Sequence, residues 1–351
     1  MELKTQCRFA VGGPADYFVT LSEPEELFAA FEFAFDRGLR MFVYSGGSNL
    51  FFDDEGFRGL VVRIKGGNWT LDKRELPAAS FSYQGRDSLA LNQPTDDLNG
   101  AASPFGGAAD SGPIPFDDDD APVSLAVEAE PTPVVKVSGG FELSRLVREL
   151  ARLDLGGIEF LGNIPGSVGG AVVGNAGCYG RSIAEVLLEA EVYPIQTHEV
   201  ETVSPEFFEF GYRHSKLKSD QQFIVMSATL RLMPRPRPLV LKEVEAELQQ
   251  RLQKHPHDAA CAGSFFQNPS RERPAWRLLV DAGMSGDWIG GAKFSPKHAN
   301  FLINMGDARS SDIIRLARKA QMAVLENSGF ELVPEVRYVG PEGIVEPLPD
   351  L

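Results

Sequence analysis

Apolar residues along the first sixty positions follow two rhythms. Leu27, Ala30, Phe31, Ala34 and Phe35 recur at the three-and-four spacing of one helical face, so a helix is predicted there. Ser22-Glu23-Pro24-Glu25 just ahead has the form of a capping box, the serine side chain taking an orphan amide and Glu25 reaching back. Gly38 suits the left-handed stop at the far end. Met41-Phe42-Val43-Tyr44 predicts a short strand running into Ser45-Gly46-Gly47-Ser48-Asn49, and Leu60-Val61-Val62-Arg63-Ile64 predicts the next strand. The unit reads as β-α-β.

From about residue 67 to 133 the periodicity lapses. Gly, Ala, Ser, Pro and Asp dominate, with an unbroken run from Asp117 to Asp120. Such a stretch buries too little apolar surface to offset its ordering entropy, so an acidic low-complexity insertion without a packed fold is expected. The aspartate run lacks the spacing and central glycine of a calcium loop, which leaves a solvated loop as the reading. Order is predicted to return with a strand at 134–137 and a helix whose Leu143, Leu146, Val147 and Leu150 share a face, closing near Gly156. Strands follow around 186–194 and 223–232. Pro234-Arg235-Pro236-Arg237-Pro238 reads as an interdomain linker, because proline excludes helix interiors and central strands. Helices at about 241–254 and 312–327 and a strand around 331–338 complete the chain.

The charge changes the picture. With 34 basic and 49 acidic residues the chain of 351 residues carries a formal −15, which argues against a nucleic-acid partner, since phosphate neutralisation needs a basic surface. Twelve acidic and three basic side chains fall in 67–133, so most of the excess lies in that one segment. No apolar run approaches the ~20 residues that span a bilayer, and Met1-Glu2-Leu3-Lys4-Thr5-Gln6 has no apolar signal core behind it. Cys7, Cys178 and Cys261 are odd in number and far apart, so neither a disulfide framework nor a metal site is expected; His255-Pro256-His257 reads as a helix end. A cytoplasmic protein bound to no membrane is the expectation.

Two glycine-rich loops carry the candidate chemistry: Gly46-Gly47-Ser48-Asn49 after a strand, and Gly162-Asn163-Ile164-Pro165-Gly166-Ser167-Val168-Gly169-Gly170-Ala171, which opens onto a helix. Consecutive glycines let backbone amides turn toward an anion, and a helix start adds free N–H groups. Neither loop is GxGxxG or GxxxxGK[ST], so neither a dinucleotide Rossmann site nor a nucleoside-triphosphatase is supported. Each loop alone is read as a plain turn; together they favour a diphosphate cradle.

Joined with Val11-Gly12-Gly13-Pro14-Ala15-Asp16-Tyr17, Asn175-Ala176-Gly177, Tyr212-Arg213-His214-Ser215, Ala262-Gly263-Ser264-Phe265-Phe266, Lys297-His298-Ala299-Asn300-Phe301 and Pro334-Glu335-Val336, these loops closely resemble the UDP-N-acetylenolpyruvoylglucosamine reductase family. The match runs in family order over nearly the whole chain outside the acidic insertion. It implies an α+β protein: a two-lobed FAD-binding fold of the vanillyl-alcohol-oxidase (PCMH) type plus a C-terminal α+β substrate domain. The corresponding divisions are 1–66 for the first lobe, 67–133 for the insertion, 134–233 for the second lobe and 234–351 for the substrate domain with a catalytic C-terminal strand. The implied activity is NADPH-dependent, FAD-mediated reduction of UDP-N-acetylglucosamine enolpyruvate to UDP-N-acetylmuramate, for peptidoglycan synthesis and hence cell shape and division. A monomer is the expectation.

Carried over residue by residue, the resemblance makes Arg213, Ser264 and Glu335 catalytic. Arg213 would hold the substrate carboxylate, Ser264 would give a proton, and Glu335 would orient the enol group or donate to it. It places the cofactor against Tyr44, Ser45, Gly46, Gly47, Ser48, Asn49, Leu50, Ile164, Pro165, Gly166, Ser167, Gly169, Gly170, Asn175 and Gly177. It places the substrate against Tyr212, Asn268, Lys297 and His298. Gln267, Asn163, Gly174 and Cys178 depart from the family pattern. Only 51 positions separate Arg213 from Ser264, too few for the extra substrate-covering loop of one branch, so the shorter branch is implied. The alternatives are another flavin oxidoreductase of the superfamily, which would not need to protonate an enol, and an inactive scaffold binding flavin or a nucleotide sugar.

Overall fold

The computed structural model describes residues 1–22, 25–76, 131–256, 258–270 and 272–349. Its first lobe holds strand β1 (Ala15–Leu21), helix α1 (Glu25–Asp36) and strands β2 (Met41–Tyr44), β3 (Leu50–Phe52) and β4 (Phe57–Ile64). β1, β4 and β2 form a parallel sheet in that order. Leu27, Ala30, Phe31 and Ala34 of α1 pack on it, as their spacing predicts. Phe35 does not join them and is 87% exposed. At 3.6 residues per turn it lies about 80° round the helix from Leu27, beyond the buried stripe. Gly38 is left-handed, φ +60°. Glu23, Pro24 and the Glu25 side chain lie outside the described residues, and with them the predicted capping box; the Ser22 amide instead donates to the Glu26 carboxylate at 2.8 Å.

The second lobe contains β5 (Trp69–Arg74), β6 (Thr132–Ser138), α2 (Leu143–Ala151), β7 (Leu155–Gly156), α3 (Val168–Val173), β8 (Gly177–Cys178), β9 (Arg181–Ser182), β10 (Leu187–Pro194), β11 (Glu201–Val203), α4 (Lys216–Asp220), β12 (Phe223–Arg231) and β13 (Met233–Pro234). The main sheet runs β11-β10-β12-β6-β5, antiparallel throughout. All four predicted apolar residues of α2 are buried, each stabilising the lobe by about 1.5–3 kcal/mol.

β5 corrects the expected insertion boundary. Residues 69–74 pair one-to-one with 132–137, so both ends of the segment 67–133 belong to the sheet. The strand escaped the sequence reading because it is a polar edge, largely exposed and held by backbone pairing rather than by apolar alternation. The remainder of the expected insertion, residues 77–130 with the aspartate run, lies outside the described residues.

The last part of the chain comprises α5 (Arg237–Lys254), β14 (Ala260–Ser264), α6 (Ala275–Asp281), β15 (Trp288–Ile289), β16 (Ala292–Phe294), β17 (Phe301–Asn304), α7 (Ser310–Ser328), β18 (Arg337–Gly340) and β19 (Gly343–Val345). The sheet β14-β17-β16-β15 packs with α6 and α7 around Phe265, Phe266, Phe294, Leu302, Ile313 and Leu316. The proline cluster is not a free linker. Met233–Pro234 pairs with β7, and Pro236 and Pro238 fall at the cap and first turn of α5, where no intrahelical N–H is lost. α5 therefore starts four residues before its apolar pattern does.

β18 pairs in parallel with β3, so the end of the chain returns to the first lobe. The strand predicted over 331–338 is shorter, and Glu335 lies just before it. The same seam is tied by the start of α7. The Ser310 amide donates to the Asp54 carboxylate at 3.0–3.1 Å, and the Ser310 hydroxyl meets Asp53 and Asp54. A carboxylate on a first-turn amide complements the helix dipole. Asp54→Ala is expected to destabilise the protein by about 1 kcal/mol, read as a lower urea midpoint at unchanged slope.

Candidate active site

The two glycine loops meet. The Gly46 backbone comes so close to Gly166 that an added Cβ would lie 3.0 Å from its Cα, and the Ser48 hydroxyl donates to the Pro165 carbonyl at 2.9 Å. Gly47 is left-handed, φ +60°, and an added side chain would strike the Gln6 carbonyl at 2.7 Å. Ser167 caps α3 by accepting the Gly170 amide at 3.3 Å. Between the loops opens a cavity of about 880 Å³. All the expected cofactor residues line it except Asn175.

Asn175 has another task. Its Nδ2 donates to the Gly211 carbonyl at 2.8 Å, while the Ser215 hydroxyl donates to the Val173 carbonyl at 2.6 Å. These bonds pin both ends of the tight turn Gly211–His214 to the second lobe. At the tip of that turn Arg213 is left-handed, φ +54°, and its side chain enters the cavity.

Ser264 reaches the cavity by a different device. Register breaks between Cys261 and Ser264 on β14, where Gly263 takes φ +83°. The buried Asn300 then clamps the following residues: its Oδ1 accepts the Phe266 amide at 2.9 Å and its Nδ2 donates to the Phe266 carbonyl at 2.8 Å. This is what the Lys297-His298-Ala299-Asn300-Phe301 motif supplies. Lys297 and His298 themselves, expected at the substrate, do not line the cavity. The Lys297 ammonium donates to the Leu252 carbonyl at 2.7 Å, where the exposed end of α5 attracts a cation. The His298 ring packs with His255, Trp276 and Phe301, and burial lowers its pKa. His257 lies outside the described residues.

Glu335 is held from both sides. Its amide donates to the Phe265 carbonyl at 2.7 Å, and its carbonyl accepts Nδ2 of Asn49 at 3.1 Å, so the first glycine loop grips the acid's backbone. Its carboxylate lies 3.7 Å from Nε of Arg213, both side chains about a quarter exposed or less. Burial pushes the Glu335 carboxyl up, against the opposing pull of Arg213 and Lys218. A carboxyl whose folded-state pKa is raised loses stability as pH rises through that pKa, because its charged form is penalised in the native state. Glu335→Gln is therefore expected to gain thermal stability over the parent progressively above the usual carboxylate range. A melting-temperature difference that stays flat from pH 4 to 8 would refute this.

Arg213, Ser264 and Glu335 thus line one cavity with the glycine loops, Tyr212 and Asn268. Tyr212 is largely exposed, and its hydroxyl accepts Nδ2 of Asn268 at 3.3 Å. Three of the four departures from the family pattern, Asn163, Gly174 and Cys178, also line the cavity, while the Gln267 amide is bound to the Val333 carbonyl. The Cys178 thiol donates to the Phe160 carbonyl at 2.9 Å, and burial pushes it up to about 11, far from the reactive thiolate form. Sequence reasoning missed the cavity's further cations, Arg8, Lys218, Arg251, Lys254 and Arg337, because isolated basic residues carry no local signal. Among the described residues no group of His, Cys, Asp and Glu could hold a metal ion, and no helix is long and apolar enough to cross a membrane.

Glycine-lined backbone from two successive loops faces a cavity that an acid- and hydroxyl-bearing third part completes, an arrangement suited to an oxidoreductase. Residues 255–339 match the C-terminal domain of UDP-N-acetylenolpyruvoylglucosamine reductase. The reductase of that name from Agathobacter rectalis is 32% identical over 341 residues, covering 96% of this chain and 92% of the relative. That from Geotalea uraniireducens is 30% identical over 94% of this chain and 89% of the relative. The crystal structure of UDP-N-acetylenolpyruvylglucosamine reductase from Thermus caldophilus superposes with a TM-score of 0.66 at 29% identity, covering 96% of this chain and 97% of that one. The chain belongs to the UDP-N-acetylenolpyruvoylglucosamine reductase family.

Proposed function

We propose that the protein reduces UDP-N-acetylglucosamine enolpyruvate to UDP-N-acetylmuramate at the expense of NADPH, with FAD held between the two glycine loops. The observation that carries this reading is the convergence of Arg213, Ser264 and Glu335 on the cavity those loops enclose. The loops suit a dinucleotide: Gly46 packs so closely on the Gly166 backbone that a side chain there would crowd it, which leaves main chain free to approach a ligand. Tyr44 to Leu50, with Ile164, Pro165, Gly166, Ser167, Gly169, Gly170 and Gly177, would hold the cofactor. When bound, it supplies the hydride that the enol ether requires.

The remaining work falls to this chain. Hydride arriving at the terminal carbon of the enol leaves negative charge spread into the neighbouring carboxylate. The Arg213 guanidinium, always charged and two-pronged, suits that group. Ser264 delivers the proton to the adjacent carbon, which completes the lactyl ether. Burial favours the protonated form of Glu335, which is the form that donates a hydrogen bond to the enol. Tyr212 and Asn268 lie at the mouth, where the nucleotide sugar would enter. Ser264 and Glu335 favour this reading over an oxidase of the same superfamily, which has no carbon to protonate.

The test compares NADPH consumption with and without UDP-N-acetylglucosamine enolpyruvate, alongside the visible spectrum of the purified protein. A yellow protein whose NADPH turnover depends on the enol ether is expected. Equal rates with and without it, or a folded protein unable to take up flavin, would reject the reading.

A further inference from the structure

Lys218 lines the cavity from the short helix α4 and belongs to none of the roles above. Its ammonium donates to the Arg213 carbonyl at 3.2 Å. Its own carbonyl accepts Nη2 of Arg337 at 2.7 Å, and the Arg337 amide donates to Asn49 at 3.0 Å, beside the Asn49–Glu335 bond. The Glu335 carboxylate in turn lies 3.7 Å from Arg213. These contacts close a ring through Arg213, Glu335, Arg337 and Lys218. Arg213 sits at its most demanding point, since a left-handed arginine is disfavoured unless its surroundings hold it there.

We propose that Lys218 is a positioning residue of the reduction step, holding Arg213 in its left-handed turn and so setting the guanidinium against the Glu335 carboxylate. The inference rests on the function proposed above. Arg213 and Lys218 are the cations acting on Glu335, while Glu335, Arg337 of β18, Glu346 just past β19 and Arg213 act on Lys218, with Arg337 and Glu346 themselves paired at 2.9 Å. Loss of Lys218 leaves the Arg213 carbonyl without its ammonium donor and Glu335 facing one cation fewer. The structure thus gives Lys218 two separable effects. One is on geometry, through the carbonyl, and the other is on protonation, through the charge.

The experiment uses the full-length flavin-loaded protein and rapid-mixing absorbance, following flavin bleaching by NADPH and its reoxidation by UDP-N-acetylglucosamine enolpyruvate separately. Lys218→Met is expected to slow reoxidation by about 10- to 100-fold, as small misplacements of catalytic groups do. Bleaching by NADPH should stay within about twofold of the parent, and the limb of the reoxidation pH profile due to Glu335 should move to higher pH. Lys218→Arg, which keeps a charge and a donor, should recover most of the rate and return that limb. A Met variant like the parent in reoxidation overturns the proposal, as does one slowed equally in both half-reactions. If the Met variant fails to fold, an Arg variant with a displaced limb overturns it, and one with the parent's limb supports it. A parent protein that the enol ether does not reoxidise overturns the functional reading, and this proposal with it.

Discussion

Ser264→Ala is expected to lower turnover by about 10²–10⁴, the range typical for removal of a positioned proton donor. The loss should fall on one half of the cycle. Ser264 stands at the end of β14, beyond the register break at Cys261, and its neighbours Phe265 and Phe266 are fixed by Asn300 whatever the side chain at 264. Alanine therefore leaves the fold and the glycine loops in place. Flavin content and bleaching by NADPH should match the parent, while reoxidation by the enol ether slows and its product is protonated sluggishly. A variant that retains more than a tenth of the parent's reoxidation rate would remove Ser264 as the acid. A loss of bound flavin would instead show the residue to be structural.

Arg235→Ala is expected to destabilise the protein by about 3–5 kcal/mol, the range for stripping one partner from a buried ion pair. The Arg235 guanidinium lies 2.8 Å from Glu159, whose side chain is fully buried, and 2.7 Å from Glu243 of α5. The Gly157 amide also donates to Glu159, at 2.9–3.1 Å. The carboxylate packs against the backbone at Gly156, where an added Cβ would meet it at 2.2 Å. Urea unfolding measures the effect, and a second substitution identifies its cause. Glu159→Gln in the Arg235→Ala background should recover part of the loss, because the uncompensated charge is gone. Destabilisation below about 1 kcal/mol, or additivity of the two changes, would show that solvent reaches the carboxylate.

The same arginine marks a limit of sequence reading. Within Pro234-Arg235-Pro236-Arg237-Pro238 the prolines argue for a linker, and nothing local announces that Arg235 finds Glu159, 76 positions back. β5 was hidden for a related reason. Its apolar alternation stops after Trp69 and Leu71, and its pairing with 132–137 depends on a partner beyond a long intervening segment. Phe35 failed in the opposite direction, apolar and in rhythm but at the edge of the stripe.

The site divides in the same way. Arg213, Ser264 and Glu335, the glycine loops, Tyr212 and Asn268 could be picked out because each lies in a short run that resembles the family, and the structure brings them to one cavity. Lys297 and His298 also lie in such a run, yet there the constraint belongs to Asn300, which braces the backbone behind Ser264. Asn175 likewise serves the Arg213 turn instead of the cavity. Motif membership marks a segment, not the side chain that uses it.

By itself, then, the sequence determined the helix-forming stripes, the central strands, the positions where only glycine fits and the chemical groups available for catalysis. These depend on periodicity and on local backbone freedom, which neighbouring residues fix. Only the tertiary structure decided that β18 returns to β3 and brings Glu335 beside Arg213, that Asn49 joins loop to acid, and that Lys218 completes the ring. Asn49 and Glu335 alone are 286 positions apart. Their geometry follows from how the lobes pack, which no local pattern encodes.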